Sequence, residues 1–443
     1  MAVYSALLIV YVSLAMCLAA GITYLNSPKH KFITFVFALW ILAVQVLGTD
    51  MFTISFAKST GFDLQFNRIL LISFVLYLAW SKTKEMIRGE RSHSYSFEKL
   101  LVLYYFLSLI VFLVHLNGVL TLREFVVVYS GWLTFGVFYF TLKCTVDEGM
   151  IKSILQALLL MGVFSAIIAV LQFSFDSNFM RIGIAREAFG GKIRSNGLFV
   201  AEYYQGYFLI PATIVAMVYL RSIALKTAVI AVNLVGIVLT FHRMSWIIAL
   251  LIMVIYSLAS RKKKAKPVYI VAALLTVLAT GYAMKSSLDT RSSFVLERLL
   301  SDTVSGRFRF YEVAIARIQT NWLTGVGNTN TNAYYFDVLR SGQRFDSSGE
   351  NVANIHNLFL NMGYFFGLPV LLSFCLFIFS MMKHFWKKAL DDGKFYFIAS
   401  GVVFMFICAN LTNWFYLNTD VALLMAIVTS MSTRSIEADT ITD

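Results

Sequence analysis

Apolar runs of membrane-spanning length follow one another along most of this chain, and that pattern leaves few folds open to it. A helical span needs roughly 20 apolar residues. Runs that meet or approach this length lie near 4–24, 32–48, 63–80, 98–116, 122–142, 152–174, 197–220, 224–241, 244–260, 267–284, 356–382, 395–413 and 417–432. Only 14% of the 443 residues are charged, against roughly 25% in soluble domains. The expected fold is therefore all-α and polytopic, with about 12–13 transmembrane helices. The runs 32–48 and 417–432 are short enough to be re-entrant or interfacial instead. No basic residue precedes Lys29, so Tyr4–Tyr24 is expected as a retained first span, not a cleaved leader.

Lysine and arginine set the expected sidedness. Alternate loops carry Lys29 and Lys31, Lys82 to Lys99, Lys143 and Lys152, Arg221 and Lys226, Arg261 to Lys266, and Lys383 to Lys394. The positive-inside rule makes these loops cytoplasmic. The N-terminus then lies outside, the C-terminus inside, and the loops 175–196 and 285–355 outside. The net charge of +13 is thereby spent largely on topology, and nucleic-acid binding is not expected. Cys17, Cys375 and Cys408 fall in apolar runs and Cys144 in a short basic loop, so no disulfide framework is implied. With no internal repeat, residues 1–443 read as a single membrane domain with two outer loops: a first basic one at 175–196 and a large one at 285–355.

Those outer loops break the charge trend. The first holds Arg181, Arg186, Lys192 and Arg194; the second holds Arg291, Arg298, Arg307, Arg309, Arg317, Arg340 and Arg344; Arg243 sits in a short outer turn. The guanidinium fork matches phosphate oxygens, so an outward arginine cluster fits an anionic group at the membrane surface, such as a lipid-linked phosphate. Pairing with Glu187, Glu297, Asp302 or Glu312, or with lipid headgroups, remains the alternative for each. Within the large loop, Phe310, Ala314 and Ile318 recur at helical spacing beside a stripe of Arg309, Val313 and Arg317, which predicts an amphipathic helix over Phe308–Asn321. His115, His242 and His356 lie near the outer face, and neutral imidazole can take a proton from a sugar hydroxyl. Glu202, Asp50 and Asp63 are the carboxylates placed to take part. No metal-ligand spacing, Walker-type phosphate loop or Asp-x-Asp pair occurs.

Four ordered segments resemble the O-antigen ligase and polymerase superfamily: Arg194-x-x-Gly197-x-Phe199, His242-Arg243-x-Ser245-Trp246, Trp322-Leu323-Thr324-Gly325-Val326-Gly327, and His356-Asn357-x-Phe359-Leu360-x-x-Gly363. Two further pairs, Arg181 to Gly197 and Arg309 to Gly325, reproduce that superfamily's spacing of an arginine, fifteen residues and a glycine. The resemblance implies a bacterial inner-membrane glycosyltransferase that is metal-independent, inverting and active on the periplasmic face. Its donor would be a glycan on undecaprenyl pyrophosphate, and no cofactor would be needed. His356 would be the general base on the acceptor hydroxyl. Arg194 and Arg243 would hold the pyrophosphate, with Arg309, Arg317, Arg181 and Asn357 also contacting substrate. His242 stands where the family has serine, and Ala201–Gln205 lacks its Pro-Asn pair.

A polymerase would pass the glycan to another lipid-linked repeat unit, and a ligase would pass it to the lipid A core; the polymerase is the preferred reading. Implied partners are membrane lipids, a chain-length regulator and other polysaccharide-assembly proteins. A polysaccharide or lipid transporter is the alternative from another class, but it calls for polar residues near the midplane and repeat symmetry. Here the polar residues gather at one face.

Overall fold

The computed structural model describes residues 2–47, 54–55, 63–64, 73, 76–77, 80, 94–116, 118, 121–122, 125, 129, 131–187, 193–259, 302–327, 331–340, 355–390, 394–413, 415–417 and 419–439. The expected span 267–284 and most of 63–80 lie outside them. So do Asp50, Lys192, Arg291, Arg298 and Arg344, and the side chains of Asp63, Arg307 and Arg309.

Fourteen helices form among the described residues, with one short antiparallel pair, β1 (Ile54–Ser55) and β2 (Asp63–Leu64). The helices are α1 (Ala2–Asn26), α2 (Lys31–Leu47), α3 (Ser96–Val114), α4 (Thr134–Thr145), α5 (Glu148–Ser174), α6 (Glu202–Tyr219) and α7 (Ile223–Leu239). They continue as α8 (Arg243–Ala259), α9 (Asp302–Thr320), α10 (Thr331–Arg340), α11 (Leu358–Phe366), α12 (Leu368–Leu390), α13 (Lys394–Ala409) and α14 (Asp420–Asp439). Among the described residues four stretches, Ala6–Asn26, Ser96–Val114, Glu148–Ser174 and Leu368–Leu390, are long and apolar enough to cross a membrane. The chain is thus an all-α polytopic membrane protein. Large apolar side chains such as Val10, Phe106 and Leu376 are exposed, as a lipid-facing surface requires.

Local chemistry fixes the helix ends. Asp147 caps α5 by accepting from the Met150 amide at 2.9 Å and also ties down the Lys29 amide at 2.8 Å. Ser222 caps α7 and Asn357 caps α11 in the same way. α5 lies at the centre, packed on α1, α2, α6 and α7, while α13 packs on α6, α8, α12 and α14. Close approach there uses small residues: Gly162 faces Ala212 and Asn233, and Gly236 faces Ala166.

Two expectations are corrected. The apolar run 356–382 is not one helix, because Gly367 takes φ +82° and Pro369 follows in sequence; α11 ends there and α12 begins. The run 197–220 becomes helical only at Glu202, since 194–201 form a pinned turn. The amphipathic helix is found as α9, longer at its start than its periodicity predicts, with Ala314 and Ile318 buried as expected.

Candidate active site

The arginine-bearing turn before α6 is held from below by one buried amide. Gln172 of α5 accepts from the Asn196 and Gly197 amides at 3.0 and 2.9 Å and donates to the Gly197 and Phe179 carbonyls at 3.0 Å. The Ser195 amide donates to Leu239 O of α7 at 3.0 Å. Gly197 adopts φ +55°, and a Cβ there would lie 2.7 Å from the Ser165 carbonyl oxygen, so glycine is required.

Arg194 leaves this turn to meet Glu202, the first residue of α6, with Nη1 2.9 Å from Oε1. Arg186 approaches the same oxygen at 3.9 Å. Arg181 donates from Nη2 to the Arg194 carbonyl at 2.9 Å and from Nε to Ser177 O at 2.6 Å. Burial pulls the Arg181 guanidinium below its ordinary pKa, opposed by the Glu202 and Asp176 carboxylates, and it remains a cation. Glu202 is only 4% exposed. Arg194 Nε is buried with no hydrogen-bond partner among the described residues.

α6 passes this cluster directly to the second motif. Gly206 packs on Ser245 of α8 so tightly that a Cβ would lie 2.7 Å from the serine Cβ. Ser245 Oγ is 2.8 Å from His242 Nδ1, so the imidazole is held against the first turn of α8. Tyr207 packs edge-on against that ring at 5.2 Å between centroids. Arg243 opens α8 half-buried, one residue from this contact.

The fourth motif joins through the segment 410–416. The Leu358 amide donates to Asn410 O at 3.0 Å and Asn357 Nδ2 to Leu411 O at 3.2 Å. Asn413 then donates to the Tyr207 hydroxyl at 2.8 Å, and Phe415 packs on Tyr203, Tyr204 and Tyr207. His356 immediately precedes the Asn357 cap of α11, and its carbonyl accepts from Tyr311 of α9 at 3.2 Å. A continuous set of contacts therefore runs from Arg181 and Arg194 through α6 and His242 to Asn357 and His356.

The third motif is structural support for α11. The amides of Val326 and Gly327 donate to Tyr364 O and Phe365 O, both at 3.0 Å, capping carbonyls that the helix end leaves open. His115 joins this support, its Nε2 3.1 Å from Thr324 O. Arg317 is drawn away from the first cluster into an ion pair with Asp337 at 3.3 Å, and Asp337 also accepts from the Tyr364 hydroxyl at 2.8 Å. Sequence reasoning missed Asp337, Tyr207 and Asn413. The only signal for the last was the pair Asn410 and Asn413 at the end of an apolar run. Among the described residues no three His, Cys, Asp or Glu side chains gather as a metal site would need.

No curated protein matches the chain. A family model described as O-antigen ligase matches residues 228–375, a region that contains the second, third and fourth motifs. The match supports a glycosyltransferase-like membrane enzyme of polysaccharide biosynthesis that handles a lipid-linked glycan. It bears out the resemblance: residues 228–375 are similar to the O-antigen ligase family, consistent with the O-antigen polymerase/ligase superfamily.

Proposed function

We propose that this protein is a polymerase that joins undecaprenyl-pyrophosphate-linked repeat units of a surface polysaccharide on the periplasmic face of the inner membrane. The observation that carries the reading is the contact path from Arg194 through α6 and the Tyr207–Asn413 bond to Asn357, with His242 and Arg243 next to one another on the α8 side and His356 next to Asn357. It ties the elements that carry the arginines to the element that carries the histidine, at one end of the bundle. His356 takes the proton of the acceptor hydroxyl as that oxygen attacks the anomeric carbon. The bond from that carbon to pyrophosphate breaks, and the leaving group departs with the electron pair, inverting the configuration. Arg194 and Arg243 hold the pyrophosphate and stabilise the charge that grows on it. Fixed guanidinium groups supply this without a metal ion. Arg181 acts behind Arg194 by holding its carbonyl. Arg309 of α9 is the further candidate for the clamp, whereas Arg317 is committed to its ion pair with Asp337; Asn357 caps the first turn of α11.

The description of the matching family, O-antigen ligase, favours a second reading in which the acceptor is the lipid A core. A surface-polysaccharide gel of a deletion strain separates the two. Loss of a polymerase leaves core capped with one unit, whereas loss of a ligase leaves bare core and accumulated lipid-linked polymer. In purified protein supplied with lipid-linked donor, His356→Ala should abolish transfer while the protein stays folded in the membrane; full activity would remove the proposed base. Arg243→Lys should raise the donor KM, because lysine cannot reproduce the fork, and an unaltered rate at limiting donor would count against pyrophosphate binding there.

A further inference from the structure

At the end of the bundle opposite Arg243, the C-terminal half of α8, the C-terminal half of α12 and the N-terminal half of α13 enclose a groove of about 690 Å³. Arg243 and Leu258 are the two ends of one helix, about 22 Å apart at 1.5 Å per residue, so this groove is separate from the candidate active site. Its size falls within the roughly 300–1,000 Å³ of small-molecule sites. Ile255, Leu258, Phe379 and Phe404 line it, and Lys383 is the one charged side chain among its lining residues. Ser400, also in the lining, has already spent its hydroxyl on the Phe397 carbonyl at 3.0 Å.

We propose that this groove binds an anionic phospholipid, with an acyl chain along the apolar walls and the headgroup phosphate at Lys383. Three observations choose this occupant. Leu258 and Phe379 are 78% and 53% exposed, so the groove opens sideways on a surface whose surroundings are lipid. Lys383 is exposed at its rim on a long apolar stem that lets the ammonium reach headgroup depth. Trp386 stands one turn further along α12, where aromatic residues mark the membrane–water boundary. Lys387 and Lys388 follow in the last turn of α12 and Lys394 opens α13, so the field at this end is positive. A neutral lipid would leave that charge unanswered. The charge of the loops assigns this end to the cytoplasmic leaflet, where anionic headgroups meet basic side chains worth about 1 kcal/mol each.

The test is native mass spectrometry of the detergent-solubilised full-length chain titrated with phosphatidylglycerol or phosphatidylcholine of matched acyl chains. The wild type should retain phosphatidylglycerol preferentially. Lys383→Gln should weaken phosphatidylglycerol by roughly 5-fold, the effect of one such contact, with phosphatidylcholine unchanged. Ile255→Trp, which fills the groove, should weaken both. Thermal unfolding of each variant checks that the fold persists, and Lys383→Gln alters only an exposed side chain. Equal retention of the two lipids by the wild type, or unchanged phosphatidylglycerol binding in Lys383→Gln, would overturn the proposal. So would retention of neither lipid, the result expected of a groove filled by the chain's own residues 267–284. None of these outcomes bears on the glycosyl-transfer reading, which rests on the other end of α8.

Discussion

Arg194 and Arg186 both turn toward one oxygen of Glu202, and the carboxylate they share is almost fully buried. The shorter contact, 2.9 Å, is a charge-assisted bond, while the longer one involves a half-exposed arginine and contributes little. Removing the charge while keeping the shape should therefore loosen Arg194 first. Glu202→Gln is expected to cost about 1–2 kcal/mol of stability and to raise the donor KM more than it lowers kcat; unfolding in detergent and initial-rate kinetics measure the two. An unchanged KM would mean that Arg194 does not need this partner to hold its pose. At this scale the sequence was half legible. Glu202 stands out because charge is conspicuous in an apolar run, and Arg194 because it breaks the charge trend of the outer loops. Asp337 did not, because its two partners, Arg317 and Tyr364, lie 20 and 27 residues away and only the folded chain brings them together.

Among the elements, α3 and α4 are joined by a second buried carboxylate. Glu98 accepts from Tyr139 Oη at 2.7 Å and Lys143 Nζ at 2.6 Å, and its other oxygen caps its own helix at the Tyr95 amide, 3.1 Å away. Lys143 is about 10% exposed, so Glu98→Ala would remove the carboxylate that a largely buried ammonium pairs with, a loss of about 3–5 kcal/mol. A clear fall in the unfolding midpoint in detergent should follow, with Glu98→Gln falling less; no fall would show that water reaches Lys143 freely. Helix existence was the most legible property here. The stripe of Ala314 and Ile318 announced α9, and the long runs announced α1, α3 and α5. The break between α11 and α12 was passed over, since hydropathy averages over Gly367 and Pro369 while the backbone turns there. What fixes that break is remote: Leu368 donates to Trp322 O at 2.7 Å, and the Trp322–Gly327 segment lies far upstream.

Across the whole molecule, chemistry divides by end. Three of the four motifs that carry the resemblance lie where α6, α8 and α11 begin, and an apolar groove with a lysine rim lies where α8 and α12 finish. The grouping at one end was readable from loop charge and hydropathy before any contact was known. The way the motifs meet was not, because it depends on the 410–416 segment, which carries no motif of its own. One contact sets the clearance between α6, whose Glu202 holds Arg194, and α8, which opens with Arg243: Gly206 of α6 against Ser245 of α8. It works as a spacing gauge with no slack, since the serine it touches is the one that steadies His242. Gly206→Ala would wedge α8 outward and turn Ser245 off the imidazole, moving Arg243 relative to Arg194. A misplacement of about 1 Å can cost about 100-fold in rate, so transfer by the purified variant should fall on that order while α6, relieved of a helical glycine, stays helical by circular dichroism. Normal turnover would mean that the clamp tolerates drift. Otherwise the candidate active site is machined to the thickness of a single missing methyl group.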